Sequence, residues 1–241
     1  MRSFVDIHSH WIPGVDDGAA TADDSIALLR GLRDLGFDRA CATPHMRPGL
    51  FDNTRETLER AYRDLQSRLV ASDGLPEVAL SCEHHLDDVV FERLLGGEGL
   101  PYPAGKTVLI ELPYDHLPTK LPERLFELRL RRLRPVLAHP ERYRPVWRDI
   151  EVLDPLLDGG TVLQLDVGAL AGQYGRHTRR CAEDLAEAGY YYCASSDLHR
   201  VADLRYVDRG IRKLFDLMGK DESEFLLREG PRSVLDGQVE D

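Results

Sequence analysis

Positive charge is in deficit. The chain of 241 residues carries 31 Lys and Arg against 42 Asp and Glu, a formal net charge of −11. Nucleic acid needs a basic face to meet its phosphates, so this balance argues against it as a main partner. It leaves room for a local basic pocket serving a single phosphate group. Long apolar runs are also missing. No stretch approaches the roughly 20 residues needed to cross a bilayer, and the opening MRSFVDIHSH has no signal-peptide core. No membrane insertion is expected, and the default location is cytoplasmic. Cysteine is sparse, and Cys41, Cys82, Cys181 and Cys193 form no CxxC pair. In a reducing compartment such scattered thiols read as buried core residues. Internal repeats, low-complexity tracts and linkers are absent, which points to one domain spanning residues 1–241. That length suffices for a substantial core.

What is present is an alternation. Short apolar segments at residues 4–8, 39–43, 78–83, 107–112, 135–139, 161–166 and 190–196 read as strands. Segments of helical period separate them. This βα alternation predicts a parallel sheet or barrel of the α/β class. Thr21 can cap a helix with Asp23 and Asp24 in its first turn, Ile26, Leu29 and Leu32 on one face, and Gly36 as its stop. Leu58, Tyr62, Leu65 and Leu69 mark the next helix. Further helices are expected at residues 121–132, 149–157, 176–188 and 202–218, and a Gly- and Pro-rich loop at 96–105.

The chemistry sits at the strand ends. The first strand runs into Asp6-Ile7-His8-Ser9-His10, and residues two apart on a strand face the same way. Gly14-Val15-Asp16-Asp17-Gly18 follows as an acidic loop. Other strand ends carry His45, Glu83, Glu111, His139, and Asp197 with His199. In a βα barrel the C-terminal strand ends converge on one face, where active sites are built. Each residue alone could be a polar cap at a loop start. Nine such residues recurring at one structural position point to bound cations, since carboxylates so close together would otherwise repel. Imidazole and carboxylate without thiolate suit Mn, Zn, Fe or Co better than Ca or Mg.

The blocks DIHSHWIPGVDDGA, ATPHMRPG, LAHPERY and SSDLHR, with the Glu83 and Glu111 strand ends, resemble the PHP (polymerase and histidinol phosphatase) superfamily. Within it they are most similar to the CpsB/CapC branch of bacterial, manganese-dependent protein-tyrosine phosphatases. The resemblance spans nearly the whole chain, to the closing GPRSVL. It implies a single-domain, distorted (β/α)7 TIM-like barrel with a trinuclear site. His8, His10, Glu83 and Asp197 would hold one ion. Glu83 would bridge to a second, shared with Glu111 and His139. Asp17, His45 and His199 would hold the third. The implied cofactors are two or three divalent ions, Mn first, with Fe, Zn or Co as alternatives. The implied reaction is hydrolysis of phosphotyrosine by a metal-bridging hydroxide. The implied partner is a bacterial tyrosine kinase that controls capsule or exopolysaccharide synthesis. Three positions depart from the family pattern: the Cys82-Glu83-His84-His85 run, the acidic Asp166, and Arg200 after the last ligand.

Arg47 and Arg142 follow His45 and His139 closely, and a guanidinium can grip phosphate oxygens with two parallel hydrogen bonds. The bland alternative pairs Arg142 with Glu141 at the surface. On the functional reading Arg142 reaches phosphate without engaging a metal. Arg232 is a weaker candidate. His139 or His199 could protonate the leaving group. Cys41 to Arg47 also fits C-x5-R, the minimal signature of cysteine-dependent tyrosine phosphatases. It lies in a strand-like run, contains Pro44 and lacks glycine, so Cys41 reads as a buried thiol. Two competing functions stand beside the leading one. They are a small-molecule phosphatase of the histidinol-phosphate or nucleotide type, and a non-catalytic metal-binding regulator.

Overall fold

The computed structural model describes residues 3–239. Its strands are β1 (Phe4–Ser9), β2 (Phe37–Ala42), β3 (His45–Met46), β4 (Glu77–Leu80), β5 (Glu83–His85), β6 (Thr107–Glu111), β7 (Arg134–Ala138), β8 (Val162–Asp166) and β9 (Tyr191–Ser195). The helices are α1 (Ala22–Leu35), α2 (Arg55–Val70), α3 (Asp88–Leu95), α4 (Leu121–Leu130), α5 (Asp154–Asp158), α6 (Val167–Leu170), α7 (Arg176–Glu187), α8 (Leu204–Glu224) and α9 (Gly230–Asp236).

Every ladder is parallel, in the orders β1-β2-β4 and β3-β5-β6-β7-β8-β9. β3 continues the path of β2, and β5 that of β4. Thr43-Pro44 breaks the first of these paths, since Pro44 has no N–H for a ladder. The expected strand at 78–83 is likewise two pieces. Nine short strands therefore fill the seven places of a barrel. The last seam is irregular. A single bridge joins Ser9 to Leu198, and His8 and His10 exchange backbone bonds with Asp197 and Leu198 at 2.8 and 2.9 Å. Below it, side chains replace the ladder. Ile7 N donates to Ser195 Oγ at 3.1 Å, and the Asp6 carboxylate accepts from Ser196 N and Oγ at 2.8 and 2.9 Å. That seam is the distortion in the barrel.

Two cores hold the fold. Val5, Ile7, Cys41, Leu109, Val136, Ala138, Val162 and Cys193 fill the barrel interior, closed at one end by Tyr102 and by Val234 and Leu235 of α9. A larger layer lies between strands and helices. Its α1 face is Ile26, Leu28, Leu29 and Leu32. The α1 ends are as expected: Thr21 and Asp24 form a reciprocal capping box, and Gly36 turns left-handed at φ 101°.

Three expectations need correcting. Residues 149–157 do not form one helix. A 3-10 turn, Ile150–Leu153, precedes α5, because Pro155 cannot donate the bond that would join them. The helix expected at 202–218 starts at Leu204 and runs to Glu224, interrupted where Gly219 takes φ 76°. Helices α3 and α9 were not anticipated. The first has a legible cap in Asp87, whose side chain accepts from Val90 N at 2.7 Å. Among the described residues, no helix is long and apolar enough to cross a membrane.

Candidate metal centre

The site begins with an irregularity in β1. Between Asp6 and Ser9 this strand takes three steps while β2 takes two, from Ala40 to Ala42. Such a bulge lets neighbouring residues share a face. Ile7 thus packs in the barrel interior, and His8 also turns inward, with His10 following. The loop after β1 folds back so tightly that a Cβ on Gly18 would lie 2.1 Å from the His10 carbonyl oxygen. Only glycine fits there, and the turn carries Asp16 and Asp17 to the barrel mouth. Two other ligand candidates sit in strained backbone. His139 has φ 36° and Asp197 φ 45°, left-handed values that non-glycine residues adopt at a cost. Each turns the chain sharply at the end of a strand, so that the side chain stays at the mouth.

All nine candidate ligands meet there. His8 Nε2 lies 3.3 Å from Glu83 Oε2 and 3.2 Å from Asp197 Oδ1. His10 Nε2 lies 3.6 and 3.4 Å from the same two oxygens. Glu83 also reaches His45 Nδ1 at 2.9 Å and His139 Nε2 at 3.0 Å. His45 Nε2 and His199 Nε2 each stand 3.5 Å from Asp17 Oδ1. Four overlapping groups have donor atoms close enough to share an ion: His8, His10 and Asp197; His8, Glu83 and His139; His45, Glu83 and Glu111; and His10, Asp17, His45 and His199. The grouping differs from expectation in several details: Glu83 falls with His8 and His139 and with His45 and Glu111, but not with His10 and Asp197. Glu111 falls with His45 rather than His139, and His10 joins the Asp17 group.

Buried yet unpartnered atoms test whether cations fit. His8 Nε2, His10 Nε2, His45 Nδ1, Glu83 Oε2 and Asp197 Oδ1 are shielded from solvent and complete no hydrogen bond. They approach one another at 2.9–3.6 Å without aligning. Buried polar atoms are seldom left so. Atoms that point at common centres instead of at each other are what divalent cations need.

The far sides of these side chains are held as well. Gln164 Oε1 lies 2.9 Å from His8 Nδ1, and Asp16 Oδ2 lies 2.7 Å from His10 Nδ1. The Asp197 carbonyl lies 2.9 Å from His199 Nδ1. His85 and the Tyr114 hydroxyl hold Glu111 at 3.1 and 2.6 Å. Asp16 also accepts from Gly18 N and His45 N, which ties the first loop to β3. Sequence reading missed Asp16, Gln164 and Tyr114 as orienting groups. Their only signal was position, one residue before Asp17, two before Asp166 and three after Glu111. His84 is structural, with Nδ1 2.8 Å from the Leu109 carbonyl and Nε2 accepting from Leu100 N.

Arg142 is not paired with Glu141. Glu141 points inward, where Asp166 N and the Tyr191 hydroxyl donate to it. Arg142 instead donates to Asp197 Oδ2 at 2.6 Å and to the Tyr114 hydroxyl at 2.8 Å. Its guanidinium lies 4.3 Å over the Tyr174 ring and 5.0 Å over the Tyr114 ring. It therefore holds a candidate ligand, a contact that the sequence reading did not include. Arg47 is half-buried and makes no ion pair among the described residues. Arg200 is exposed, and so is Arg232 on α9, the helix that packs against the opposite end of the barrel. Cys41 is fully buried inside the barrel on β2, and burial together with Asp6 pushes its thiol up.

A model of the family described as "Capsular polysaccharide synthesis, CpsB/CapC" matches residues 4–236. The chain belongs to the CpsB/CapC family. Tyrosine-protein phosphatase YwqE of Bacillus subtilis (strain 168) is 30% identical over 235 residues, which cover 98% of this chain and 92% of that protein. The Streptococcus pneumoniae protein named tyrosine-protein phosphatase CpsB is 24% identical over 244 residues, covering 98% and 99%. A solved structure from work on YwqE and CpsB, described as unique metal-dependent tyrosine phosphatases, matches with a TM-score of 0.89. Its identity is 30%, over 98% of this chain and 95% of that one. The phosphotriesterase homology protein of Escherichia coli, 13% identical with a TM-score of 0.58, covers 97% and 99% and shares the fold alone.

In this CpsB/CapC protein the cluster of candidate ligands is electrostatically divided. Burial alone would depress the His8 imidazole, but Asp197 and Glu83 beside it raise it to about 10. His45 and His199 rise to about 9 against the same burial, through Glu83 and Asp197 respectively. Burial would raise Glu83 and Asp197, yet the surrounding histidines hold both well below the usual carboxylate range. The imidazoliums thus stand in for cations, and metal uptake must expel their protons. A histidine raised in the folded state contributes stability that is complete below its unfolded value of 6.5 and is lost as pH climbs through 9 to 10. The chelated protein should therefore lose thermal stability between about pH 7 and pH 10. The metal-loaded protein should lose much less, because its histidines are already neutral. Melting curves of both forms across this range decide the matter, and parallel curves would refute the assignment.

Proposed function

We propose that this chain is a metal-dependent protein-tyrosine phosphatase, a single domain over residues 1–241 that acts in the cytoplasm. Its substrate on this reading is a phosphotyrosine protein, a bacterial tyrosine kinase of capsule or exopolysaccharide synthesis. The observation that carries the proposal is the set of buried, unpartnered His, Glu and Asp atoms converging at one barrel mouth. The likeness to proteins named tyrosine phosphatases supports it.

His8, His10, Asp17, His45, Glu83, Glu111, His139, Asp197 and His199 hold two or three divalent ions, with Mn the first choice. When bound, such ions neutralise phosphate charge and lower the pKa of a coordinated water so that a nucleophile exists near neutral pH. The chain's own residues do the rest. Arg142, clamped between two tyrosines, offers its remaining N–H groups to phosphate oxygens. Arg47, unpaired on the turn after β3, offers a second grip. Of the two histidines considered as proton donors, His139 is buried with Nε2 on Glu83, whereas His199 reaches the rim, 21% exposed. Asp17 beside it is 54% exposed. That side of the site is open enough to take a tyrosine presented by another protein, which favours a protein substrate over an enclosed small molecule.

The test is hydrolysis of an aryl phosphate and of a phosphotyrosine peptide. Both activities should vanish on chelation and return with Mn. The Cys41→Ser variant should keep most of its activity, because a thiol buried in the barrel cannot meet phosphate. Full activity after metal removal, checked by elemental analysis, would sink the proposal. A folded, metal-replete Cys41→Ser variant without activity would do the same.

A further inference from the structure

The mouth of the barrel is unevenly charged. Residues 142–148 (RYRPVWR) and 171–180 (AGQYGRHTRR) contain six arginines and no Asp or Glu, in a chain of net charge −11. The fold brings these two segments together. Arg142 lies over Tyr174, so the start of α7 borders the site. Trp147 donates to the Glu141 carbonyl at 2.7 Å and stacks on His177, with ring centroids 5.5 Å apart and planes at 18°. Arg144 N donates to the Tyr114 carbonyl at 2.8 Å, which fixes it beside the tyrosine that holds Arg142. Arg144, Arg148 and Arg176 are exposed and make no ion pair among the described residues. Trp147 and His177, their sequence neighbours, are exposed as well. On the opposite side of the barrel, the loop after β1 and the start of α1 present Asp17, Asp23 and Asp24 to solvent. The two sides of the mouth thus differ in charge, with the six-arginine pair of segments facing an acidic loop.

We propose that Arg144, Arg148 and Arg176, with the Trp147–His177 stack, form a docking surface for an acidic stretch of the phosphoprotein beside its phosphotyrosine. The proposal rests on the phosphatase reading above and adds the kind of sequence the enzyme prefers. Charge complementarity selects the occupant. Three exposed guanidiniums gain little from each other's company, and beyond the exposed Asp115 carboxylate near Arg144 an acidic peptide supplies their counter-charge. The flat aromatic pair gives an extended peptide something to lie on without demanding one side chain. Because the groups are solvent-exposed, the effect must weaken as salt screens it.

The experiment compares two phosphotyrosine peptides, one flanked by glutamates and one by glutamines, with a small aryl phosphate as reference. The wild type should cleave the glutamate peptide with a kcat/KM about ten-fold higher, expressed mainly in KM and lost near about 1 M salt. The triple variant Arg144→Ser, Arg148→Ser, Arg176→Ser should treat both peptides alike while hydrolysing the aryl phosphate as before. Equal cleavage of the two peptides by the wild type, or a preference that survives in the triple variant, overturns the proposal. If the wild type cleaves neither peptide, the phosphotyrosine reading itself falls. Fluorescence anisotropy of the unphosphorylated glutamate peptide then judges the surface. Salt-sensitive binding lost in the triple variant supports it, and no binding to the wild type refutes it.

Discussion

Replacing Glu83 by Gln should lower aryl phosphatase activity by at least about a thousandfold, a barrier increase of roughly 4 kcal/mol. Glu83 is the hub of the cluster. Its Oε1 meets His139, its Oε2 meets His45, His8 and His10, and two of the four ligand groups include it. Glutamine keeps the shape but replaces one anionic oxygen with an NH2 group that cannot face a cation. The loss is therefore electrostatic and falls on metal retention first. Elemental analysis of the purified variant should show fewer than the wild-type number of ions, and added Mn should restore little activity. Circular dichroism must show the wild-type fold for the result to count. A folded Glu83→Gln variant with wild-type metal content and activity would remove Glu83 from its central place.

The sequence disclosed this hub because strand ends are easy to read. A short continuous apolar run that stops at a charged or imidazole residue marks both the element and the end that carries the chemistry, as at residues 107–111 and 135–139. What escaped were features decided by packing across the barrel. The bulge in β1 leaves no local signature, yet it lets Ile7 and His8 face inward together. The break at Ser81-Cys82 divides a run that reads as a single strand. Asp16 and Asp17 are adjacent and chemically identical, and only the fold makes the first an orienting group for His10 and the second a candidate ligand. Glu141 and Arg142 look like a ready ion pair, but the 3-10 turn after His139 sends them in opposite directions. Glu141 goes inward beside Asp166, where burial raises it to about 8. Arg142 goes to the mouth.

That divergence sharpens the second large prediction. Arg142→Ala should lower kcat/KM about ten- to a hundred-fold even at saturating metal, because a charge-assisted hydrogen bond to phosphate is worth about 1.5–3 kcal/mol. It should also weaken metal binding, since the guanidinium now on Asp197 Oδ2 helps orient that carboxylate. The two effects separate in a Mn titration. A purely supporting arginine would shift the titration midpoint and leave the plateau alone, whereas a phosphate-binding arginine lowers the plateau. Both changes are expected here. Arg142→Lys should recover only part of the plateau. An ammonium keeps the charge, but it has no planar face for Tyr174 and Tyr114 to hold, and it cannot engage Asp197, Tyr114 and phosphate in one plane. Tyr114→Phe is the finer probe. It keeps a ring under the guanidinium while deleting the hydroxyl that joins Arg142 to Glu111. Its plateau should fall less than that of Arg142→Ala. A plateau unchanged in Arg142→Ala, with metal loading complete, would take Arg142 out of phosphate binding and leave it a support for Asp197 alone.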